Sequence, residues 1–299
     1  MTCGILLLDK PQGLSSNAAL QRVRYAFGKV KAGHTGSLDP LATGMLPICL
    51  GEATKVAGDL IEGRKAYVFD LRLGERTATG DLEGDVVEHL PVPAGAAELL
   101  RQAAAAHTGA SRQIPPMYSA LKRDGQPLYK LARQGLSVPR ESRAIRIDSL
   151  EQLSADGPDS QWRVICSKGT YVRTLAEDLA KAIGCCAHLT QLRREWVEPF
   201  EGQPLVALDA VLAHPGAVTL LSADAALPQL PKLALAEEAV ARLMQGQQLA
   251  LDAGQRAAAA EGRVRLYAQG GRFLGVGEIM AGGALQPRRL FNDLGSGFT

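Results

Sequence analysis

The sequence predicts an α+β chain: a large unit that mixes strands and helices, then a small β-rich unit. Three observations carry this. GILLLDK at 4–10 is a short apolar run, and KAYVFDLRLG at 65–74 alternates, so both read as strands. AAELLRQAAAAHTG at 96–109 and the stretch after SKGTY at 167–171 read as helices. Beyond Pro228 and Pro231, GRVRLYAQGGRFLGVGEI at 262–279 reads as a hairpin turned at QGG.

The elements follow in order. After the first strand, PQG turns the chain, and Ser16 or Asn17 can cap a helix from about Ala18. Leu20, Val23 and Phe27 share one face of it. A second helix is expected near Glu52. In the 65–74 strand, Tyr67, Phe69, Leu71 and Leu73 lie on one face, Asp70 and Arg72 on the other. Gly109 is expected to end the 96–109 helix. Residues 111–135 hold Pro115 and Pro116, then interleave Tyr118 and Tyr129 with Lys122, Arg123, Lys130 and Arg133. They read as an excursion from the core. QWRVICSKGTYVRTLAEDLAKAIG at 161–184 is strand, tight loop and helix, stopped at Gly184, and AHLTQLRREWV at 187–197 is another strand.

Composition is that of an ordinary globular protein, at 46% hydrophobic and 21% charged, and 299 residues suffice for a sizeable core. No apolar run is long enough to read as a membrane helix, and the first ten residues lack signal-peptide features. A cytoplasmic protein is the expectation. The five cysteines form no CxxC pair, and Cys185, Cys186 and His188 are wrongly spaced for zinc, so incidental thiols are expected. Net charge is only +2, but residues 112–146 carry eight Lys or Arg against two acids, which fits an anionic partner held along one surface.

No phosphate loop, dinucleotide fingerprint, HExxH or GxSxG appears, so chemistry without nucleotide, flavin or metal is expected. The unusual stretch is GHTGSLDPLATG at 33–44, with one acid, Asp39. Asp-Pro is a frequent turn pair, and an aspartate can cap a helix begun at Pro40. The other reading is an exposed nucleophile, in a backbone small enough for a substrate to come close.

AGHTGSLDPLATGMLPICLGEATK resembles the motif around the catalytic aspartate of the TruB-type tRNA pseudouridine synthases. LLLDKPQGLSSN, KAYVFDLRLGERTATGDLEG, QIPPMYSALKRDGQPLYKLARQG, CSKGTYVRTLAEDLA and HLTQLRR resemble further motifs of that family in the same order. FLGVGEI and LQPRRL resemble the end of a PUA domain, a small β-barrel-like RNA-binding module. Ser37, Ala180 and the Cys185–Cys186 pair depart from the family pattern without touching its motif acids.

The resemblance implies a pseudouridine synthase catalytic domain over 1–226, with a central mixed, mainly antiparallel sheet flanked by helices and an RNA-clamping insertion at about 108–146. A PUA-like domain over 227–299 follows. It implies conversion of uridine 55 in the tRNA T-loop to pseudouridine after base flipping, by a monomer without cofactor, metal or obligatory protein partner. Asp39 is the implied nucleophile, with Arg173 and Tyr67 as catalytic partners. His34, Lys10, Gly33, Asp81, Leu192 and Tyr171 are implied to bind the T-loop. Lys122 and Arg123 would bind the T-arm, and Arg288 and Arg289 the acceptor stem. Three alternatives stand beside this: a guide-RNA-dependent relative, a tRNA-folding chaperone activity beside or instead of catalysis, and a glycosidase with a distant second acid.

Overall fold

The computed structural model describes residues 2–252, 254–255 and 260–291. The chain opens with β1 (Gly4–Lys10), α1 (Ser16–Ala26), β2 (Ala32–His34) and β3 (Thr43–Leu50). A 3-10 segment, Gly51–Val56, and the short helix α2 (Ala57–Glu62) precede β4 (Lys65–Leu73). Then come β5 (Glu75–Thr77), β6 (Val86–His89), α3 (Ala96–His107) and β7 (Gly109–Gln113). A small hairpin, β8 (Lys122–Arg123) and β9 (Gln126–Pro127), and α4 (Leu128–Arg133) follow. β10 (Arg143–Asp156), β11 (Asp159–Cys166), α5 (Val172–Ala182), β12 (Ala187–Val197), β13 (Val206–Ala207) and α6 (Leu208–Ala213) complete this part.

One nine-stranded sheet runs β13-β1-β3-β12-β4-β11-β10-β7, with β2 paired to the far end of β3. The β1–β13 and β3–β12 pairs are parallel and the rest antiparallel, as the sequence implied. The apolar run of β1 follows from burial on both faces. Leu6 and Leu8 join a core with Val23 of α1 and Leu175 and Leu179 of α5. Ile5 and Leu7 face the other way, toward Met45, Trp196 and Phe273. Tyr67, Phe69, Leu71 and Leu73 of β4 share the helix-covered face, as their alternation predicted.

The C-terminal sheet, ordered β14-β16-β17-β18-β15, gathers β14 (Lys232–Leu235), β15 (Leu249–Ala250), β16 (Gly262–Ala268), β17 (Phe273–Ile279) and β18 (Ala284–Leu290). The helix α7 (Glu237–Met244) lies against it through Val240 and Leu243. Phe273, Val276 and Phe291 pack into the second core of the large sheet, so the two sheets are joined by apolar contact. Arg263–Asp59 at 2.6 Å and Tyr267 Oη donating to Asp224 at 2.6 Å add polar ties.

Four local expectations change. Ser15, not Ser16 or Asn17, caps α1 by accepting from Ala18 N at 3.1 Å, because Ser15 has the extended backbone and Ser16 turns inward. The Glu52 region is 3-10 before it becomes helical at Ala57. α3 ends at His107, and Gly109, at φ +106°, opens β7 instead of capping the helix. The basic excursion is narrower than 108–146: residues 109–113 pair with 143–147 at the sheet edge, leaving 114–142 outside it.

Candidate active site

No helix starts at Pro40, so the capping reading of Asp39 falls. The stretch 35–42 is an irregular loop between β2 and β3, held by specific bonds. Thr35 N donates to Pro47 O at 3.0 Å. Ser16 Oγ accepts from Leu38 N at 2.7 Å and donates to Leu38 O at 3.0 Å. Gly13 N donates to Pro40 O at 2.8 Å, and Ala42 N to Asp39 O at 3.1 Å. Gly44, at φ +97°, lets β3 approach β12 so closely that a Cβ there would lie 2.2 Å from Arg194 O.

With its backbone fixed from both sides, the Asp39 carboxylate meets Arg173, whose Nε lies 2.9 Å from Asp39 Oδ2. Arg173 is the second residue of α5, yet it is only 4% exposed, so it is not a surface charge. Its Nη1 donates to Thr79 O at 2.6 Å and its Nη2 to Tyr118 O at 2.7 Å. Its Nε also stands 3.7 Å from Asp81 Oδ2. Asp81 is 2% exposed and accepts from Thr79 Oγ1 at 2.5 Å and Glu83 N at 3.1 Å. The acidic loop is docked on β12 by Leu189 N donating to Gly80 O at 3.0 Å.

The Asp39 side chain keeps 39% of its surface open although protein crowds it on the remaining sides. That crowding pushes its carboxyl above the ordinary range, while the Arg173 charge pulls it back. Lys10 Nζ is buried against Leu14 O at 2.6 Å and Pro11 O at 2.8 Å. Burial brings it down to about 8, and the Asp39 charge opposes that. Burial raises the Tyr67 phenol, opposed by Arg194. Burial lowers His34, which favours the neutral ring, and its buried Nδ1 has no hydrogen-bond partner among the described residues.

Asp39, Arg173, Asp81, Lys10, Tyr67 and Tyr171 fall within one interacting group. Tyr171 precedes α5 and is fixed by Gln113, which accepts from Tyr171 N at 2.8 Å and donates to Tyr171 O at 3.1 Å. Leu192 is buried on β12 opposite Phe69 of β4. Gly33 lies on β2 opposite Cys49, with open space where a Cβ would be. Lys122 and Arg123 are not part of the group: they sit exposed on β8, where Arg123 Nη1 donates to Pro139 O at 3.0 Å. Arg288 and Arg289 sit exposed on β18 of the other sheet, Arg288 paired with Glu278 at 2.6 Å.

Three charged residues near the site escape reasoning from sequence. Glu83 is raised by burial and by the Asp81 and Asp39 charges. Lys65 is buried, brought down to about 8, and donates to Ile61 O at 2.8 Å. Arg194 is wholly buried behind Tyr67. Only the strand parity of Arg194, opposite to that of exposed Arg193, could have singled it out.

This arrangement places one partly open carboxylate beside a buried arginine and near the Tyr67 ring. Solved structures share the fold. The Cbf5-Nop10-Gar1 complex superposes with a TM-score of 0.69 at 26% identity, covering 93% of this chain and 78% of that one. The archaeal box H/ACA sRNP Nop10-Cbf5 complex gives 0.67 at 25% identity, with 96% and 85% covered. The C-terminal sheet is accordingly of the PUA type. Curated relatives carry the name tRNA pseudouridine synthase B. That of Aromatoleum aromaticum is 49% identical, covering 97% of this chain and 93% of its own. That of Burkholderia lata is 51% identical, covering 96% and 89%.

The fold and site therefore define a pseudouridine synthase, an isomerase. Residues 24–172 match the TruB family pseudouridylate synthase N-terminal domain, 173–224 the tRNA pseudouridylate synthase B C-terminal domain, and 231–291 the pseudouridine synthase II TruB C-terminal region. The chain belongs to the TruB family.

Proposed function

We propose that this enzyme isomerises uridine 55 in the T-loop of tRNA, acting as a monomer without guide RNA, protein partner or cofactor. The observation that carries this is a partly open Asp39 carboxylate 2.9 Å from a buried arginine. The curated relatives' names supply the tRNA substrate.

In the reaction the N-glycosidic bond breaks, the uracil turns, and a C–C bond forms to the same sugar. The change is redox-neutral. Flipping the target base costs a few kcal/mol, and His34 stacks in the space it leaves, returning about 1–3 kcal/mol. A neutral His34 ring suits that role, because an imidazolium would be costly to bury. Tyr67 stacks on the flipped uracil and Leu192 walls the pocket. Asp39 acts as the carboxylate, kept ionised and oriented by Arg173, whose guanidinium also lies 3.7 Å from a second acid, Asp81; the C5 proton leaves to water and N1 ends protonated. Lys10 adds a cation beside the loop, and Tyr171 lines the approach. Gly33 leaves room for the RNA backbone.

Residues 1–226 form the catalytic domain and 227–299 the RNA-binding domain. Lys122 and Arg123 on the excursion grip the T-arm, and Arg288 and Arg289 reach toward the acceptor stem. The glycosidase alternative has no support from the curated relatives, which carry the name of a pseudouridine synthase.

The test uses unmodified tRNA carrying tritium at C5 of uridine, purified enzyme and nothing else. The expected result is release of about one tritium per tRNA by the natural protein and none by Asp39→Asn. No release despite tight tRNA binding would transfer the reading to a guided enzyme or a chaperone. An Asp39→Asn protein that still accelerates tRNA folding would add the chaperone role.

A further inference from the structure

Arg194 is 1% exposed, and no carboxylate pairs with it among the described residues. Its charged neighbours are cations or neutral groups: its charge acts against the protonated forms of Lys10, His34 and Lys65. A buried cation without a counter-charge is costly, and an apolar side chain of similar volume would pack there more cheaply. The cost goes with two directed hydrogen bonds and one cross-strand neighbour. Nε donates to Met45 O at 2.7 Å, on β3. Nη2 donates to Gly36 O at 3.0 Å, three residues before Asp39. Tyr67 holds the position directly opposite Arg194 on the β4–β12 ladder, so the two side chains lie on the same face of the sheet.

These placements tie the Asp39 loop and β3, which leaves it, to β12 and to the neighbouring ring proposed to hold the uracil. Ser16 holds Leu38 on one side of the loop, and Arg194 holds Gly36 on the other. The planar guanidinium can serve several acceptors at fixed angles at once, which an ammonium cannot. We infer that Arg194 is a positioning residue for the isomerisation, one that keeps the Asp39 carboxylate and the Tyr67 ring in a single fixed frame. It touches no substrate. The inference rests on the proposed roles of Asp39 and Tyr67.

The test compares the natural protein with Arg194→Lys, Arg194→Gln, Tyr67→Phe and the double variant Arg194→Lys with Tyr67→Phe. Thermal midpoint, tRNA affinity and single-turnover tritium release at saturating enzyme are measured for each. Arg194→Lys is expected to fold, to bind tRNA within about threefold of the natural protein, and to release tritium at least about tenfold more slowly. The double variant is expected to lose clearly less than the product of the two single losses, by at least about threefold, because part of the Arg194 effect passes through Tyr67. A folded Arg194→Lys or Arg194→Gln with a natural single-turnover rate overturns the inference. So does a double variant in which the two losses multiply, or failure of both Arg194 variants to fold, since the residue would then serve architecture alone. If the natural protein itself releases no tritium, the proposed function falls instead, and the two failures are distinct.

Discussion

Replacing Arg173 by Met and, separately, by Lys divides the charge it supplies from the geometry it imposes. The Arg173–Asp39 contact is 2.9 Å, and Asp39 already titrates above the ordinary carboxylate range because of burial. A cation in contact lowers a carboxylate pKa by about 1–3 units. Asp39 is 39% exposed, so solvent screens part of that pull without cancelling it. Removing the cation raises Asp39 further. Since the chemistry needs the carboxylate, the acid limb of the rate–pH profile moves to higher pH in Arg173→Met, and the rate on that limb falls about tenfold for each pH unit of displacement. Arg173→Lys keeps the charge, so its acid limb stays near that of the natural enzyme. Its plateau falls, because an ammonium cannot serve Thr79 O, Tyr118 O and two carboxylates together. Single-turnover tritium release between about pH 5 and 9, where the fold is expected to persist, is the assay. An unmoved acid limb in folded Arg173→Met would refute the electrostatic reasoning. The same variant strands buried Asp81, at a cost of about 3–5 kcal/mol, visible as a lower denaturant midpoint. Adding Asp81→Asn should recover part of it.

Three further outcomes are expected. Lys10 titrates at about 8 in the fold and at about 10.4 when unfolded. The unfolded chain therefore holds more protons between those values, and Lys10 adds up to about 3 kcal/mol to stability across that window; buried Lys65, also brought down to about 8, adds a rise there too, so Lys10→Met should reduce the rise between about pH 8 and 10.5 in denaturant titrations and leave the Lys65 share. Gly44→Ala should cost more than about 2 kcal/mol, because its Cβ would strike Arg194 O at positive φ, whereas Gly33→Ala should leave stability within about 0.5 kcal/mol. Equal denaturant midpoints for those two variants would contradict the packing argument. Arg289→Ala should weaken tRNA binding more than Arg288→Ala, since Arg288 is already engaged with Glu278, and should lower the salt slope by about 0.9 for each phosphate no longer neutralised. Single-turnover rates at saturating enzyme should stay unchanged in both, and binding titrations at several salt concentrations read the difference.

Much of this protein is legible in the sequence because the signals are local. The alternation that puts Tyr67, Phe69, Leu71 and Leu73 on one face of β4 is a property of strand pleating. The Gly-rich stretch around Asp39 announces an irregular backbone, and its resemblance to a known motif names the family. Where local signals compete, the sequence leaves the choice open. Ser15, Ser16 and Asn17 are all competent caps, and the outcome depends on Ser16 being drawn inward by Leu38, a residue 22 positions away. Gly109 is a good helix stop by composition, but pairing with Ile147 recruits it into a strand.

The sequence by itself determined the element types, the β-rich C-terminal unit and the acid on which the proposed chemistry turns. The resemblance named Arg173 as a partner of that acid, but tertiary structure alone decided the contact and its burial. Asp39, Asp81 and Arg173 lie far apart in the chain, and only the packing of α5 against the acidic loop and the Ser16-held loop brings both acids within 4 Å of Arg173. Arg193 and Arg194 are identical letters, but strand parity turns one toward Asp9 at the surface and the other into the core behind Tyr67. The physical reason is that side-chain charge is written in the sequence, whereas desolvation and distance arise only when separate segments close around it.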